Sequence, residues 1–177
     1  KMVEDWSKDL RPVPSDVSES EKEVLNRLFA EASAKGYLVK GPEVYHEEEF
    51  RISIDGVRKP VFFVGSADQI TRVGVDDYKT MKNFRYAKGP RLLSEDLQLL
   101  TYVWAWGSMY PRLFPGHERP EMVEISHLQL CKDPERPEVR KTTAIVPFEA
   151  SKTQYAQNLI SINKMIDLEE KYAGKKD

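Results

Sequence analysis

The sequence predicts a single α/β domain whose helices and strands follow in the order α-β-β-β-α-β-β-α. Apolar residues recur at helical spacing near both ends and in the middle of the chain, and alternating or β-branched runs lie between them. The 177 residues, 40% hydrophobic and 32% charged, suffice for one sizeable core. We expect a loosely attached polar arm at 1–17, followed by one domain over 18–177.

The first half of the chain predicts a helix and an antiparallel meander. Two overlapping capping boxes, beginning at Ser18 and Ser20, open the helix, and Gly36 ends it. The dipeptide Asp55-Gly56 is a hairpin signal. Three strands are predicted here, at 44–54, 61–70 and 75–80.

The second half begins with an irregular segment at 81–93. Ser94 then caps a strongly apolar helix over about 95–109, which the prolines and glycine at 111, 115 and 116 end. Two strands, at 122–130 and 142–148, and a closing helix at 151–172 complete the pattern. The predicted core stripe of the apolar helix consists of Leu93, Leu97, Leu100 and Trp104.

Two acids and a lysine lie on the second and third predicted strands. If 72–73 is the hairpin loop, Asp68 stands opposite Asp77. If 73–74 is the loop, Asp68 stands opposite Lys79 and diagonal to Asp77, and a glycine able to adopt positive φ at 74 favours this second register. In both registers the three side chains share one face, because strand side chains alternate.

These three residues suggest metal-dependent phosphodiester chemistry. Carboxylates on neighbouring strands repel each other, and a hard divalent cation such as Mg²⁺ removes that penalty. Lys79 would then orient or deprotonate an attacking water, or stabilise charge on the phosphate. The alternative is a solvated hairpin that carries ordinary surface charges. The predicted metal ligands are Asp68 and Asp77.

Gln98 and Tyr102 are spaced i, i+4, so they lie on one face of the apolar helix. They form either a satisfied core pair or a pair beside the active-site strands, where Gln98 binds the substrate phosphate or positions a metal ligand. On the first strand, side-chain alternation places Glu48 on the face of Phe50. Glu48 is therefore either a further metal ligand or part of an exposed acidic edge.

A basic segment follows the third strand. Cations recur every three residues, no acid occurs between Asp77 and Glu95, and Phe84 and Tyr86 are interleaved. This pattern suits a single-stranded nucleic acid with stacked bases, and the alternative is a solvated loop. Because the net charge of the chain is −2, a nucleic-acid site would have to be such a local patch. The cations are Lys82, Arg85, Lys88 and Arg91.

Three motifs resemble those of the RecB-like exonuclease branch of the PD-(D/E)XK nuclease superfamily, over about residues 43–172. They are Gly65-x-x-Asp68, Val75-Asp76-Asp77-Tyr78-Lys79-Thr80 and Gln98-x-x-x-Tyr102. The resemblance implies an α/β nuclease core, with a mixed central sheet of about five strands flanked by helices. It also implies Mg²⁺ or Mn²⁺ held by Asp68, Asp77 and the Tyr78 backbone carbonyl, Lys79 as the catalytic lysine, and Gln98 and Tyr102 along the DNA path.

The chain departs from the family at one point. Relatives usually carry a metal-binding His or Glu on an upstream helix, and here that helix has only Glu21, Glu23 and Glu31, without a clear motif. Either that helix lies outside this sequence, or one of these glutamates, or Glu48, substitutes.

The resemblance predicts a Mg²⁺- or Mn²⁺-dependent DNA exonuclease that acts on single strands or ends, in repair or recombination. The alternatives are an endonuclease on the same core and a catalytically inactive DNA- or protein-binding module. A helicase or recombination protein is the expected partner.

The single cysteine, Cys131, excludes a four-cysteine iron–sulfur cluster and an internal disulfide. No apolar run approaches the ~20 residues of a membrane span, and no signal peptide is visible. We therefore expect no membrane association and an intracellular location, in the cytoplasm of a prokaryotic or phage-infected cell.

Overall fold

The computed structural model describes residues 18–57, 59–133 and 135–173. The predicted arm at 1–17 lies outside these residues. The described chain forms a mixed sheet flanked by helices, in the predicted order apart from one additional short helix. A single 3₁₀ turn, Phe84–Tyr86, precedes that helix. The elements are α1 (Glu19–Ala34), β1 (Val44–Ser53), β2 (Phe62–Thr71), β3 (Gly74–Met81), α2 (Pro90–Ser94), α3 (Leu97–Leu113), β4 (Met122–Cys131), β5 (Glu138–Pro147) and α4 (Phe148–Ala173).

The five strands are arranged in the order β1-β2-β3-β4-β5. The β1–β2 and β2–β3 pairs are antiparallel, which confirms the predicted meander of the first three strands. The β4–β5 pair is antiparallel too. The β3–β4 pair is parallel, and the chain between these strands passes through α2 and α3. A parallel pair requires such a crossover connection. β3 is therefore the central strand of the sheet.

The two faces of the sheet carry separate hydrophobic clusters. The larger cluster includes Trp106 of α3 and Ile125 of β4. The smaller one joins Leu28 of α1 to Leu128 of β4. Because side chains alternate along β4, its odd-numbered residues face α3 and its even-numbered residues face α1.

The β2–β3 hairpin adopts the register that the sequence favoured less. Thr71 pairs with Gly74, so 72–73 is the loop. Gly74 is not among the residues with positive φ. Glycine is required here for another reason: a Cβ at this position would lie 1.9 Å from the carbonyl oxygen of Glu124 on β4. Close approach of the parallel strand, rather than turn geometry, therefore requires glycine at this position.

The alternation of side chains between the two faces of the sheet is interrupted in β1 at Glu47, which has a φ of 50°, and also in the paired strand β2. Tyr45 and Phe50 both pack against the larger cluster although their positions differ by an odd number. On β2, Ile70 and Ala67 do the same. Simple side-chain alternation therefore does not hold across Glu47, although Glu48 and Phe50, which both follow it, lie on the α3 side as predicted.

The predicted apolar helix is divided into two helices, the short α2 and the long α3. Ser94 ends α2, and the N-cap of α3 is Asp96, not Ser94 as predicted. The break separates Leu93 from α3, and the predicted stripe is only partly confirmed: Leu93 and Leu100 are buried, whereas Leu97 is 61% exposed. α3 also continues past Pro111 to Leu113, and β5 begins at Glu138, earlier than predicted. The larger buried residues of α3 are Leu99, Leu100, Val103, Trp106, Met109, Tyr110 and Leu113.

Candidate functional site

Three segments that are separate in the sequence meet on the α3 side of the sheet. The Lys79 ammonium lies 2.7 Å from Asp77 Oδ2 and donates a hydrogen bond of 3.1 Å to Gln98 Oε1. Gln98 Nε2 in turn donates to the Tyr102 hydroxyl at 2.8 Å. The oxygen and the nitrogen of the Gln98 amide are thus both hydrogen-bonded, and these two bonds fix the orientation of the amide. The i, i+4 pair on α3 is joined to the lysine of β3.

Asp68 lies next to this chain of contacts. It stands opposite Asp77, one position beyond the last pair of the β2–β3 ladder. Its Oδ2 accepts a hydrogen bond of 2.5 Å from the Tyr78 backbone N–H. Burial raises the pKa of the Asp68 carboxyl, and the Asp77 charge raises it further, against the opposing effect of the Tyr78 N–H. The two acids therefore repel each other, as the sequence predicted.

Asp77 is the most buried of these acids, with only 4% of its surface exposed. Its Oδ2 forms an ion pair with the Lys79 ammonium at 2.7 Å and has no hydrogen-bond partner among the described residues. Buried polar atoms are normally hydrogen-bonded. The Lys79 ammonium therefore compensates the charge of this oxygen, and a metal ion bound at Asp77 would share the carboxylate with Lys79.

Tyr102 keeps its proton at neutral pH. Burial raises the pKa of its hydroxyl, the Asp77 and Asp68 charges add to the rise, and the hydrogen bond from Gln98 opposes it. Because Gln98 donates to the Tyr102 oxygen, the Tyr102 hydrogen is left to donate elsewhere. The ring is held edge-on against Phe50, with centroids 5.8 Å apart.

His127 also lies beside Asp77, although the sequence alone indicated no role for this histidine. The parallel ladder pairs it with Asp77, and its Nε2 lies 3.4 Å from Asp77 Oδ2. Burial lowers the pKa of the imidazole, against the Asp77 charge, which raises it. The one signal in the sequence was a histidine within a predicted strand. Its neighbour depends on a parallel register that local sequence does not encode.

The structure does not bring Glu48 to the two aspartates. Its carboxylate contacts the Arg112 guanidinium of α3 at 2.5 Å. Glu47 stands opposite Asp68 instead, and its charge helps to raise the pKa of Asp68. Glu48 pairs with Ala67, so it lies beside the position opposite Asp68 rather than at it.

The glutamates of α1 do not supply the upstream metal ligand that the family resemblance implies either. Glu21 binds back to the N-cap residue Ser18, and Glu31 forms an ion pair of 2.6 Å with Lys35. α1, which carries Glu21, Glu23 and Glu31, packs with Leu128 on the other face of the sheet. The sheet itself separates these acids from Asp77.

The basic segment is more ordered than the predicted irregular loop. The Lys88 ammonium forms an ion pair with Asp96. The Arg140 guanidinium lies 3.9 Å from the centroid of the Phe84 ring, so one face of that ring is occupied. Tyr86 is 82% exposed. The remaining cations of the segment are exposed: Lys82, Arg85 and Arg91.

Within 18–57, 59–133 and 135–173, no three Asp, Glu, His or Cys side chains form a ready-made metal site. The donors at hand are the two carboxylates of Asp68 and Asp77, and the Tyr78 carbonyl between Asp77 and Lys79 in β3. Mg²⁺ commonly takes one or two carboxylates and completes its shell with water and phosphate oxygens. Two acids that repel each other, one with an oxygen that accepts no hydrogen bond, fit such a cation.

Comparisons with known proteins do not identify a family for this chain. No protein-family model matches the chain, and no curated protein matches it. Among solved structures, a chain described as "Crystal structure of SSO0001" is similar, with 20% identity and a TM-score of 0.39. The match covers 80% of this chain and 65% of that chain. At this TM-score the likeness supports no conclusion about activity. No helix in the described part of the chain is long and apolar enough to cross a membrane.

Proposed function

We propose that this chain is a Mg²⁺- or Mn²⁺-dependent nuclease with a PD-(D/E)XK core, which hydrolyses DNA phosphodiester bonds from single strands or ends. One observation carries the proposal: the Lys79 ammonium is held between the buried carboxylate of Asp77 and the amide of Gln98. An ordinary surface hairpin has no reason to join an acid and a lysine of one strand to a glutamine 19 residues further along the chain.

The proposed roles follow from the donors. Asp68 and Asp77, with the Tyr78 carbonyl, would hold the metal, which when bound polarises a phosphoryl oxygen and lowers the pKa of water. Lys79 presents its ammonium beside Asp77, where it orients the attacking water or stabilises the developing negative charge. Tyr102 offers its hydrogen to a phosphate oxygen, and Gln98 holds both Lys79 and Tyr102 in place.

The basic segment is the proposed path for the DNA strand. Lys82, Arg85 and Arg91 are exposed and follow the third strand directly, so they can contact phosphates without first breaking a strong ion pair. Tyr86 offers an exposed ring on which a base can stack. Lys88, paired with Asp96, and Phe84, covered on one face by Arg140, contribute less than the sequence alone suggests. A helicase or recombination partner stays a prediction from the family resemblance.

Digestion of end-labelled linear DNA and of closed circular DNA, with Mg²⁺, Mn²⁺ or EDTA, tests the proposal. An exonuclease degrades linear strands from their ends, leaves circles intact and stops in EDTA. Asp77→Asn should abolish cleavage and weaken Mn²⁺ binding measured by isothermal titration. Asp55→Asn is the matched control, because Asp55 is an exposed turn acid. Equal Mn²⁺ affinity in wild type and Asp77→Asn would remove Asp77 from the metal site.

The same experiment separates the two alternatives. Nicking of the circle indicates an endonuclease on the same core. DNA binding without cleavage under any metal condition indicates an inactive binding module.

A further inference from the structure

Two buried polar atoms on neighbouring strands face each other without hydrogen bonds. They are Asp77 Oδ2 and His127 Nε2, which lie 3.4 Å apart. The two side chains are 5% and 6% exposed, and neither atom has a hydrogen-bond partner among the residues that the structure describes. The charge of Asp77 Oδ2 is met by the Lys79 ammonium at 2.7 Å, so the atom that lacks a compensating partner is His127 Nε2. Leaving a buried polar group unsatisfied costs roughly 1 to 3 kcal/mol, so this nitrogen needs an explanation.

The separation of these atoms suits a cation bound by both. An octahedral ion such as Mg²⁺ or Mn²⁺ holds neighbouring ligand atoms about 90° apart, so two atoms that each lie about 2.1 Å from it are about 3.0 Å from each other. The observed 3.4 Å is a few tenths of an ångström longer, so a small side-chain movement would bring both atoms to one ion. Imidazole nitrogen and carboxylate oxygen are also a common mixed ligand pair for divalent transition metals. A direct hydrogen bond would need a ring orientation that the structure does not have.

The strands hold this pair in place. Asp77 and His127 lie in the middle of a continuous parallel ladder that runs from Gly74↔Glu124 to Met81↔Cys131. Both side chains project toward α3, where Lys79 also lies. Neither backbone position can shift without disturbing the central strands of the sheet, so the two donors are positioned before any ion arrives.

We propose that His127 supplies a nitrogen ligand, through Nε2, to the divalent cation bound at Asp77. This inference rests on the proposed function only in placing a metal at Asp77. It has a consequence for metal choice, because Mg²⁺ prefers oxygen ligands whereas imidazole suits transition metals. The site should therefore prefer Mn²⁺ to Mg²⁺ through a residue outside the three sequence motifs.

Pulsed electron paramagnetic resonance of the Mn²⁺-loaded protein tests the inference directly. The wild-type spectrum should show a nitrogen hyperfine coupling that changes when the protein is labelled with ¹⁵N-histidine. His127→Gln should lose the coupling and lower Mn²⁺ affinity by about 10- to 100-fold, with a smaller change for Mg²⁺. His117→Gln, in which an exposed histidine is replaced, should keep the coupling.

Folding of the variants is checked by circular dichroism and thermal melting without metal, and His127→Asn provides a second variant. If both variants misfold, retention of the coupling in His46→Gln and His117→Gln assigns it to His127 by elimination. Mn²⁺ that binds the wild type without a histidine coupling overturns the inference and leaves the proposed nuclease intact. Absence of both Mn²⁺ binding and cleavage overturns the two together.

Discussion

Lys79 is the residue on which the proposed chemistry depends most directly. Its ammonium is held by Asp77 on its own strand and by Gln98 on α3, and its side chain is still 36% exposed. A charge that is both oriented and accessible can act on a phosphate at the surface of the site. The same charge on an exposed helix would be mobile and would contribute only to general attraction of DNA.

We expect Lys79→Ala to lose at least ~10²-fold in the single-turnover cleavage rate, as for removal of a positioned acid–base or charge-stabilising group. DNA affinity should change little, because one of several cations is lost. Lys152→Ala is the matched control, since Lys152 forms an ion pair with Glu149 on α4. A Lys79→Ala protein that cleaves at the wild-type rate would contradict the assigned role.

The ionised Asp68 carboxylate should lower the free energy of unfolding of the metal-free protein. Because its pKa is raised in the folded state, the ionised form is penalised at neutral pH, and the folded protein gains stability as pH falls through that pKa. Asp68→Asn should therefore stabilise the metal-free protein at pH 7 by roughly 0.2 to 1 kcal/mol, the range for cross-strand pairs. The asparagine oxygen can still accept from the Tyr78 N–H.

Urea unfolding with EDTA, from pH 7 downward, measures this effect. The advantage of Asp68→Asn should shrink as the wild-type carboxyl becomes protonated. Asp55→Asn, which removes an exposed acid, should show no comparable gain. A destabilised Asp68→Asn protein would show that the carboxylate charge is favourable where it lies.

At the scale of elements, the start of α3 depends on Asp96. Its carboxylate accepts from the N–H groups of Gln98 and Leu99 and forms an ion pair with Lys88. Burial acts to raise the pKa of Asp96, but Lys88 and the two N–H groups outweigh it and hold the pKa below its usual value. This cap aligns the helix turn that carries Gln98, so it links helix stability to the site.

We expect Asp96→Ala to lose about 0.5 to 2 kcal/mol of unfolding free energy, the range for N-cap removal. Asp96→Asn should lose less, because it keeps a capping oxygen and loses only the charge. Since the folded pKa is depressed, the charge contributes above the unfolded pKa, and this contribution disappears as pH falls through the folded value. Urea unfolding at several pH values checks whether the wild-type and Asp96→Asn curves converge in acid.

The basic segment should determine how DNA binding depends on salt. Replacing Lys82, Arg85 and Arg91 together by Ala should flatten the log–log salt dependence by up to about 2 units, at ~0.7 per phosphate contact on single strands. Tyr86→Ala should weaken binding without changing the slope, because stacking releases no counterions. Binding to single-stranded oligonucleotides across a salt series measures both. If the triple variant keeps the wild-type slope, the DNA runs elsewhere.

At the scale of the whole molecule, the central strand β3 is held from both faces. On the face opposite to Lys79, Asp76 Oδ2 lies 2.7 Å from the Lys141 ammonium and accepts from Gln69 Nε2 at 2.9 Å. The Tyr78 hydroxyl extends this network to Gln69 at 3.1 Å. Neighbouring residues of one strand thus serve opposite purposes: Asp76 and Tyr78 anchor the sheet, while Asp77 and Lys79 form the site.

Lys141→Met should destabilise the protein by roughly 1 to 3 kcal/mol, because it leaves the buried Asp76 charge with a neutral partner only. The double variant Asp76→Asn with Lys141→Met should recover part of this loss, since no unpaired charge remains. Urea unfolding of the wild type, both single variants and the double variant gives the coupling free energy. Additive losses would show that the ion pair contributes nothing to stability.

The sequence by itself determined the order of the main elements, the meander, the shared face of Asp68, Asp77 and Lys79, and the shared helix face of Gln98 and Tyr102. These features depend on local periodicity, on capping and turn residues, and on spacing within one strand or helix, all of which are encoded over a few residues. The register of the β2–β3 hairpin was left between two choices. Its outcome depended on Gly74 meeting the backbone of β4, a contact across 50 positions of sequence.

Only the tertiary structure decided which residues from distant segments become neighbours. The parallel β3–β4 pairing places His127 beside Asp77, Arg112 of α3 pairs with Glu48, and the ion pair with Asp96 occupies Lys88. Each of these results depends on how whole strands and helices pack. A local pattern restricts the conformation of its own segment, whereas register between distant strands is set by the burial and close approach of the entire sheet.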